Sequence, residues 1–351
     1  MPRQRLEHRW NWQFVDNPAY KAAAYDTGPR GWVAAKNGQL LAYIGAFPAR
    51  MKVLDHEVII NFECDLIADP DARLRDPTMV LRLLQTVVDA GEHLLGGVDF
   101  GDQHAKLRTW LKHRPVRLAP HCLRPCEAGP KLQKLSANRG IDGLLSKGSI
   151  GWMTNTVLTT GIRAINLIKT PASDPNLRID RINQPSEQFD RLWTRLRSQY
   201  PITTVRDQTF VRWRFFEDPA FQNIMFGAYS DSDDLVGYVV VNAARSDDGH
   251  FKGRIVDMLC DLNAPSVATT LLRAATEYLQ TVGVWKILCR GMHPRLQTIV
   301  RRSLYYPSEP KYQGGEPGLF LWKGPPELAS AIYDANNWHY TFADGSGGFT
   351  P

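Results

Sequence analysis

What the chain lacks narrows it first. No uninterrupted apolar run reaches the roughly 20 residues that a helix needs to cross a bilayer. The most apolar long stretch, SIGWMTNTVLTTGIRAINLI at 149–168, is broken by Asn155, Arg163 and Asn166. That leaves an amphipathic helix lying on a membrane surface as its only membrane reading. The opening residues MPRQRLEHRWNW hold no apolar core of a secretory signal, so a cytoplasmic protein is expected. Cysteine is scarce and odd in number, at 64, 122, 126, 260 and 289. Reduced thiols follow, rather than a disulfide framework. Cys122, Cys126 and neighbouring His121 fall short of the four ligands of a structural zinc, and no second pair is in sight, so no metal is expected. No low-complexity tract occurs, and 43% hydrophobic with 22% charged residues suits a globular protein long enough for two domains.

Acids are missing from one place, KLRTWLKHRPVRL at 106–118, where Lys106, Arg108, Lys112, Arg114 and Arg117 gather. With a net charge of +6 this stretch could seat phosphate or nucleic acid. No nucleic-acid motif accompanies it, so a solvated helix face and its following strand are the preferred reading.

What is present is an echo. WQFVDNPAY at 12–20 and WRFFEDPAF at 213–221 share Trp-x-Phe-x-acid-x-Pro-Ala-aromatic without a gap, at an offset of 201 residues. CDL recurs at 64–66 and 260–262, an offset of 196. The element order recurs too. In the first half, Asn37-Gly38 between apolar flanks signals a hairpin. HEVIINFECDLIADP reads as a long strand, DPTMVLRLLQTVVDAGEH as a helix with Val80, Leu83, Leu84, Val87 and Val88 at helical spacing. A strand, a helix and a strand follow. In the second half a hairpin at 224–243, a strand ending at Cys260-Asp261, a helix from Ser266, a strand, a helix and a strand repeat the series. Ser186 opens a preceding helix with Phe189, Leu192, Trp193 and Leu196 on one face. A domain-scale tandem copy is expected: domain 1 at 1–125, a linking region at 126–185 that does not repeat, and domain 2 at 186–351 with a C-terminal tail.

This order resembles the GNAT acyltransferase superfamily. VRDQTFVRWRFFEDPAF and the closing NWHYTFADGSGGF look like the double-GNAT proteins of bacterial exopolysaccharide and cell-envelope clusters, and more distantly the Fem-type aminoacyl ligases. The resemblance implies an α/β (α+β) protein of two GNAT-like domains, each a mixed, mostly antiparallel sheet flanked by helices. It implies transfer of an acetyl or other acyl group from acetyl-CoA or another acyl-CoA to nitrogen or oxygen of a small-molecule or envelope-saccharide acceptor. In that family a glycine-rich turn opening the helix after the long strand holds the pyrophosphate on backbone amides. Here the turn maps onto RLRDPTM, with Arg73, Arg75, Asp76 and Thr78 as the donor-binding candidates. Asp76 stands where the first glycine belongs, Pro77 removes an amide, and the pair reads as N-cap and first helical residue. The second half, DLNAPSVATT, has no glycine or basic residue there.

Transfer needs a base for the acceptor and an acid for the departing thiolate. The base candidates on the long strands are Glu63, Asp65, Asp257 and Asp261, against an alternative role as strand-end caps or satisfied buried groups. Tyr305, with Tyr306 beside it, is the candidate acid, against simple packing. His104 and His293 begin corresponding helices, where a neutral imidazole or a cap is expected. Trp12, Phe14, Trp213 and Phe215 read as apolar anchors, with a sugar platform as the alternative. A catalytically inactive GNAT-fold binding module and a Fem-like aminoacyl transferase remain open beside the acyltransferase.

Overall fold

The computed structural model describes residues 3–21, 31–91, 93–98, 102–128, 156–162, 164–166, 171–245, 249–290, 292–308 and 316–345. Most of 126–170, and all but two pieces of the apolar stretch 149–168, lie outside the described residues. Among the described residues no helix is long and apolar enough to cross a membrane.

The strands are β1 (Gly31–Lys36), β2 (Gln39–Val53), β3 (His56–Ala68), β4 (Leu94–Gly97), β5 (Arg114–Leu118), β6 (Cys122–Pro125) and β7 (Arg178–Ile182). They continue as β8 (Ile202–Thr204), β9 (Ile224–Tyr229), β10 (Leu235–Arg245), β11 (Phe251–Cys260), β12 (Lys286–Cys289), β13 (Tyr306–Pro307) and β14 (Glu316–Trp322). The helices used below are α1 (Arg3–Trp10), α2 (Pro70–Arg75), α3 (Met79–Ala90), α4 (Asp102–Trp110), α5 (Gln188–Leu196), α6 (Pro265–Thr281) and α7 (Pro294–Arg302).

Contacts group the chain into two units. Unit 1 holds 1–118, 185–220 and 315–350; unit 2 holds 119–184 and 221–314. This grouping cuts across the sequence division at 125 and 186, because each sheet includes a strand distant in sequence from its neighbours. The sheet of unit 1 runs β1-β2-β3-β4-β14-β5, with β8 on the far end of β2, so a strand from the end of the chain fills the gap between β4 and β5. The sheet of unit 2 runs β7-β9-β10-β11-β12-β6-β13, so a strand from the first half fills the corresponding gap. Both are mixed: among the named strands, β3 with β4 and β11 with β12 pair in parallel and the others antiparallel.

Local sequence explains the elements. Asn37 (φ 52°) and Gly38 (φ 76°) form the left-handed turn between β1 and β2 that the Asn-Gly pair favours. On α3, Val80, Leu83, Leu84 and Val87 are buried and pack on Ala42 and Ile44 of β2 and Leu95 of β4. Each such aliphatic side chain contributes about 1.5–3 kcal/mol.

The two Trp stretches form π turns, Asn11–Val15 and Arg212–Phe216, closed by bonds from Asp16 N to Asn11 O and from Glu217 N to Arg212 O. Within unit 1 they clasp each other. The indoles of Trp12 and Trp213 stack at 4.9 Å, and each ring N–H donates to the other's carbonyl, at 2.7 and 2.8 Å. Both residues are 4% exposed, which removes the sugar-platform reading: the ring faces meet each other. Trp12→Phe and Trp213→Phe should each lose about 1 kcal/mol, the worth of one buried hydrogen bond. Urea unfolding of the singles and the double checks this.

Candidate functional site

In unit 1 the parallel ladder of β3 and β4 runs from Ile60–Leu94 to Phe62–Gly96; β4 ends at Gly97 while β3 continues to Ala68. Gly96 is needed at that end: its φ is +139°, and a Cβ there would stand 2.1 Å from Leu319 O of β14. The register of β2 and β3 slips between Tyr43 and Gly45, and opposite the slip Asp65 takes φ 54°. The long strand therefore bends at the point where its parallel neighbour stops.

Glu63 is the first residue beyond the last parallel pair. It is 7% exposed, and its Oε1 accepts from Nη1 of fully buried Arg108 on α4 at 2.6 Å; its Oε2 meets Arg108 Nη2. Burial pushes the Arg108 guanidinium down to about 9. His113, 2% exposed, bonds through Nδ1 to Arg108 O at 3.1 Å. A carbonyl only accepts, so Nδ1 carries the proton. Burial, and then the nearby Arg108 charge, hold His113 down to about 4. Burial also lowers His104, which is the third residue of α4 rather than its start. Arg108 thus carries charge at neutral pH while the two imidazoles are neutral.

Asp65 accepts from Arg9 of α1 through both oxygens, at 2.9 Å each. Cys64, between the two acids, accepts from Gln13 Nε2 at 3.1 Å, and burial raises its thiol far above the usual range. A protonated buried thiol is not a nucleophile.

The candidate donor loop folds differently from the expectation. Asp69 caps a short helix not anticipated from the sequence, α2, by accepting from Ala72 N at 2.7 Å. Asp76 ends α2, and α3 begins only at Met79, with Thr78 preceding it. The Asp76 carboxylate accepts from Thr78 N at 3.2 Å and Thr78 Oγ1 at 2.8 Å, and from Arg82 at 2.6 Å. The Arg82 bond, then Thr78, lowers its pKa. So Asp76 still occupies an amide at the helix start, but Arg82 neutralises it. Arg73 and Arg75 lie in the last turn of α2, exposed.

In unit 2 the ladder of β11 and β12 ends at Ile255–Cys289. Asp257, fully buried, accepts from Tyr238 OH at 2.7 Å. Asp261 caps the next turn by accepting from Asn263 N at 2.8 Å. Tyr305, also fully buried, shares a hydrogen bond of 2.8 Å with Thr276, and burial raises its hydroxyl beyond the usual range. Tyr306 is 52% exposed. His293 caps α7, accepting from Arg295 N through Nδ1 at 3.2 Å. The base and acid candidates therefore divide: Glu63 and Asp65 stand in unit 1, Asp257 and Tyr305 in unit 2.

The basic stretch 106–118 is not one surface. Arg108 points inward to Glu63, and Arg114 lies 3.9 Å over the Tyr333 ring. All five thiols are free and buried, and no metal-holding group of His, Cys, Asp or Glu occurs among the described residues. Sequence reasoning missed Arg108 and Arg9 as partners of the strand acids. His104, Arg108 and Leu111 recur at helical spacing, the one signal that places Arg108 on the inner face.

The fold is that of the GNAT acyltransferases. Yeast N-myristoyltransferase with bound myristoyl-CoA and inhibitors matches at TM-score 0.52 and 13% identity, over 96% of this chain and 76% of that one. A GCN5-related N-acetyltransferase from Anabaena variabilis matches at TM-score 0.50 and 11% identity, over 88% and 70%. No known family and no curated protein matches the sequence.

Proposed function

We propose that the chain transfers an acyl group from a coenzyme A thioester to an amine or hydroxyl acceptor, and that unit 1 holds the transfer site. The observation that carries this reading is the parting of β3 from β4 past Phe62–Gly96, with Glu63 buried just beyond the last pair and the helix start of α3 following β3. A shared fold does not by itself give a shared reaction; the residues supply the rest. Around the start of α3, Arg73, Arg75 and Arg82 stand among the carboxylates of Asp69, Asp71 and Asp76; the exposed guanidiniums of Arg73 and Arg75 supply the donors for a pyrophosphate. The acceptor atom attacks the thioester carbonyl, the carbon–sulfur bond breaks, and the coenzyme leaves as its thiolate. Glu63 takes the proton of the acceptor, and Arg108 holds that carboxylate in place. The matching strand orders of the two sheets support a tandem copy. A small-molecule or saccharide acceptor and a cytoplasmic setting belong to the same proposal.

A second reading, the inactive binding module, draws on the same pair: Arg108 already occupies Glu63. Calorimetric titration of acetyl-CoA decides between them. The parent protein should bind, Arg73→Gln with Arg75→Gln should weaken binding at least about tenfold, and Asp76→Gly should tighten it. Silence from the parent and from Asp76→Gly overturns the acyltransferase reading.

A further inference from the structure

We infer that unit 2 carries a second binding site, for a small zwitterion of the chemistry of a free amino acid, in a cavity along α6 separate from the proposed transfer site. The cavity measures about 530 Å³, within the range of small-molecule sites. Among the described residues its charged lining is two guanidiniums, Arg124 and Arg273, and two carboxylates, Glu127 and Glu277; Asn166, Thr276, Gln280 and Thr281 also line it.

Arg124 is only 2% exposed. Its Nη1 donates to Ser303 O at 2.6 Å, and burial lowers its pKa. A carboxylate reaching Arg124 would gain a charge-assisted bond in a desolvated setting. Arg273 Nε donates to Glu277 at 2.8 Å, so a cation and an anion already face the cavity side by side. A purely anionic ligand would meet two carboxylates, and a purely cationic one two guanidiniums. A molecule bearing both charges satisfies both pairs. Thr276, which lines the cavity, is held by Tyr305 beneath it. This gives Tyr305 a place in the molecule: it supports the cavity wall.

The cavity is separate from the strand opening of its own unit. It is also lined by Val284, just before β12, whereas the ladder of β11 and β12 ends at Cys289, the far end of that strand.

The test is thermal unfolding of the full chain with a panel of the common amino acids at about 10 mM, alongside acetate and ethylammonium. At least one amino acid should raise the melting temperature by about 2–4 °C, and neither single-charge control should match it. For the amino acid that shifts it, calorimetry should show Arg273→Gln and Glu127→Gln each weakening binding at least about tenfold, with acetyl-CoA titration unchanged. Those two residues stand away from the fully buried floor, so folding is retained. No shift across the panel overturns the inference. So does an equal shift by acetate, which would mean an anion site, or an equal shift by ethylammonium. The readout is binding in unit 2, so its failure is distinguishable from failure of the acyl-CoA titration.

Discussion

Arg108→Met should destabilise unit 1 by about 3–5 kcal/mol, because it strands the Glu63 carboxylate in a buried site with its cation removed. Both side chains of the pair are at most 1% exposed. Glu63→Gln combined with Arg108→Met should recover most of the loss, since an apolar or neutral pair carries no uncompensated charge. Urea unfolding of the parent, the singles and the double measures this; equal losses in the single Arg108 variant and the double would show that the pair is not coupled. The same residues bear on the proposed chemistry. Glu63→Gln should reduce acyl transfer by about 10²–10⁴-fold if the carboxylate takes the acceptor proton. A binding module would show no transfer to lose.

Acid should unfold the protein well before its carboxylates protonate in bulk. Burial holds His113 and His293 down to about 4, against an ordinary value near 6.5. Between these values the unfolded chain takes up protons that the folded chain refuses. The sign follows: the contribution of these groups is complete above about pH 6.5 and is lost as the pH falls towards 4. The loss is about 1.4 kcal/mol per pH unit for each histidine over that window. His113 belongs to unit 1 and His293 to unit 2, so both units weaken together. Melting temperature against pH tests this. His293→Asn keeps a capping side chain and His113→Gln keeps an N–H donor, and each should flatten the acid limb. A melting temperature constant from pH 7 to 5 would contradict the prediction.

The sequence disclosed what is local. Asn37-Gly38 forms the hairpin turn, and the spacing of Val80, Leu83, Leu84 and Val87 gives the buried face of α3. The repeated Trp stretches correspond to matching turns, but their mutual clasp joins positions 201 apart. No periodicity reports such a contact. The CDL repeat conceals different geometry: Asp65 lies inside β3 at the register slip, while Asp261 caps the turn after β11. Asp-Pro at 76–77 follows the propensity for a helix start, yet α3 begins two residues later. The pull of Arg82 and the intervening α2 outweigh the local signal. Glu63 was visible as an acid on the long strand. Its partner Arg108 was hidden in a stretch whose composition suggested solvent.

The placement of β14 has a consequence for how the chain is made. Residues 316–322 lie between β4 and β5, which emerge from the ribosome more than 190 residues earlier. Until β14 is made the two earlier strands have no partner between them, and their facing backbone edges stay open to water or to other chains. The mirror case is β6, made early, whose neighbours β12 and β13 arrive late. Each gap stays open until the later strand that fills it has been made. Such long-range pairing slows folding and leaves the growing polypeptide dependent on protection of those edges. A chain cut short before residue 316 would lose the middle of a sheet whose other strands had all been made.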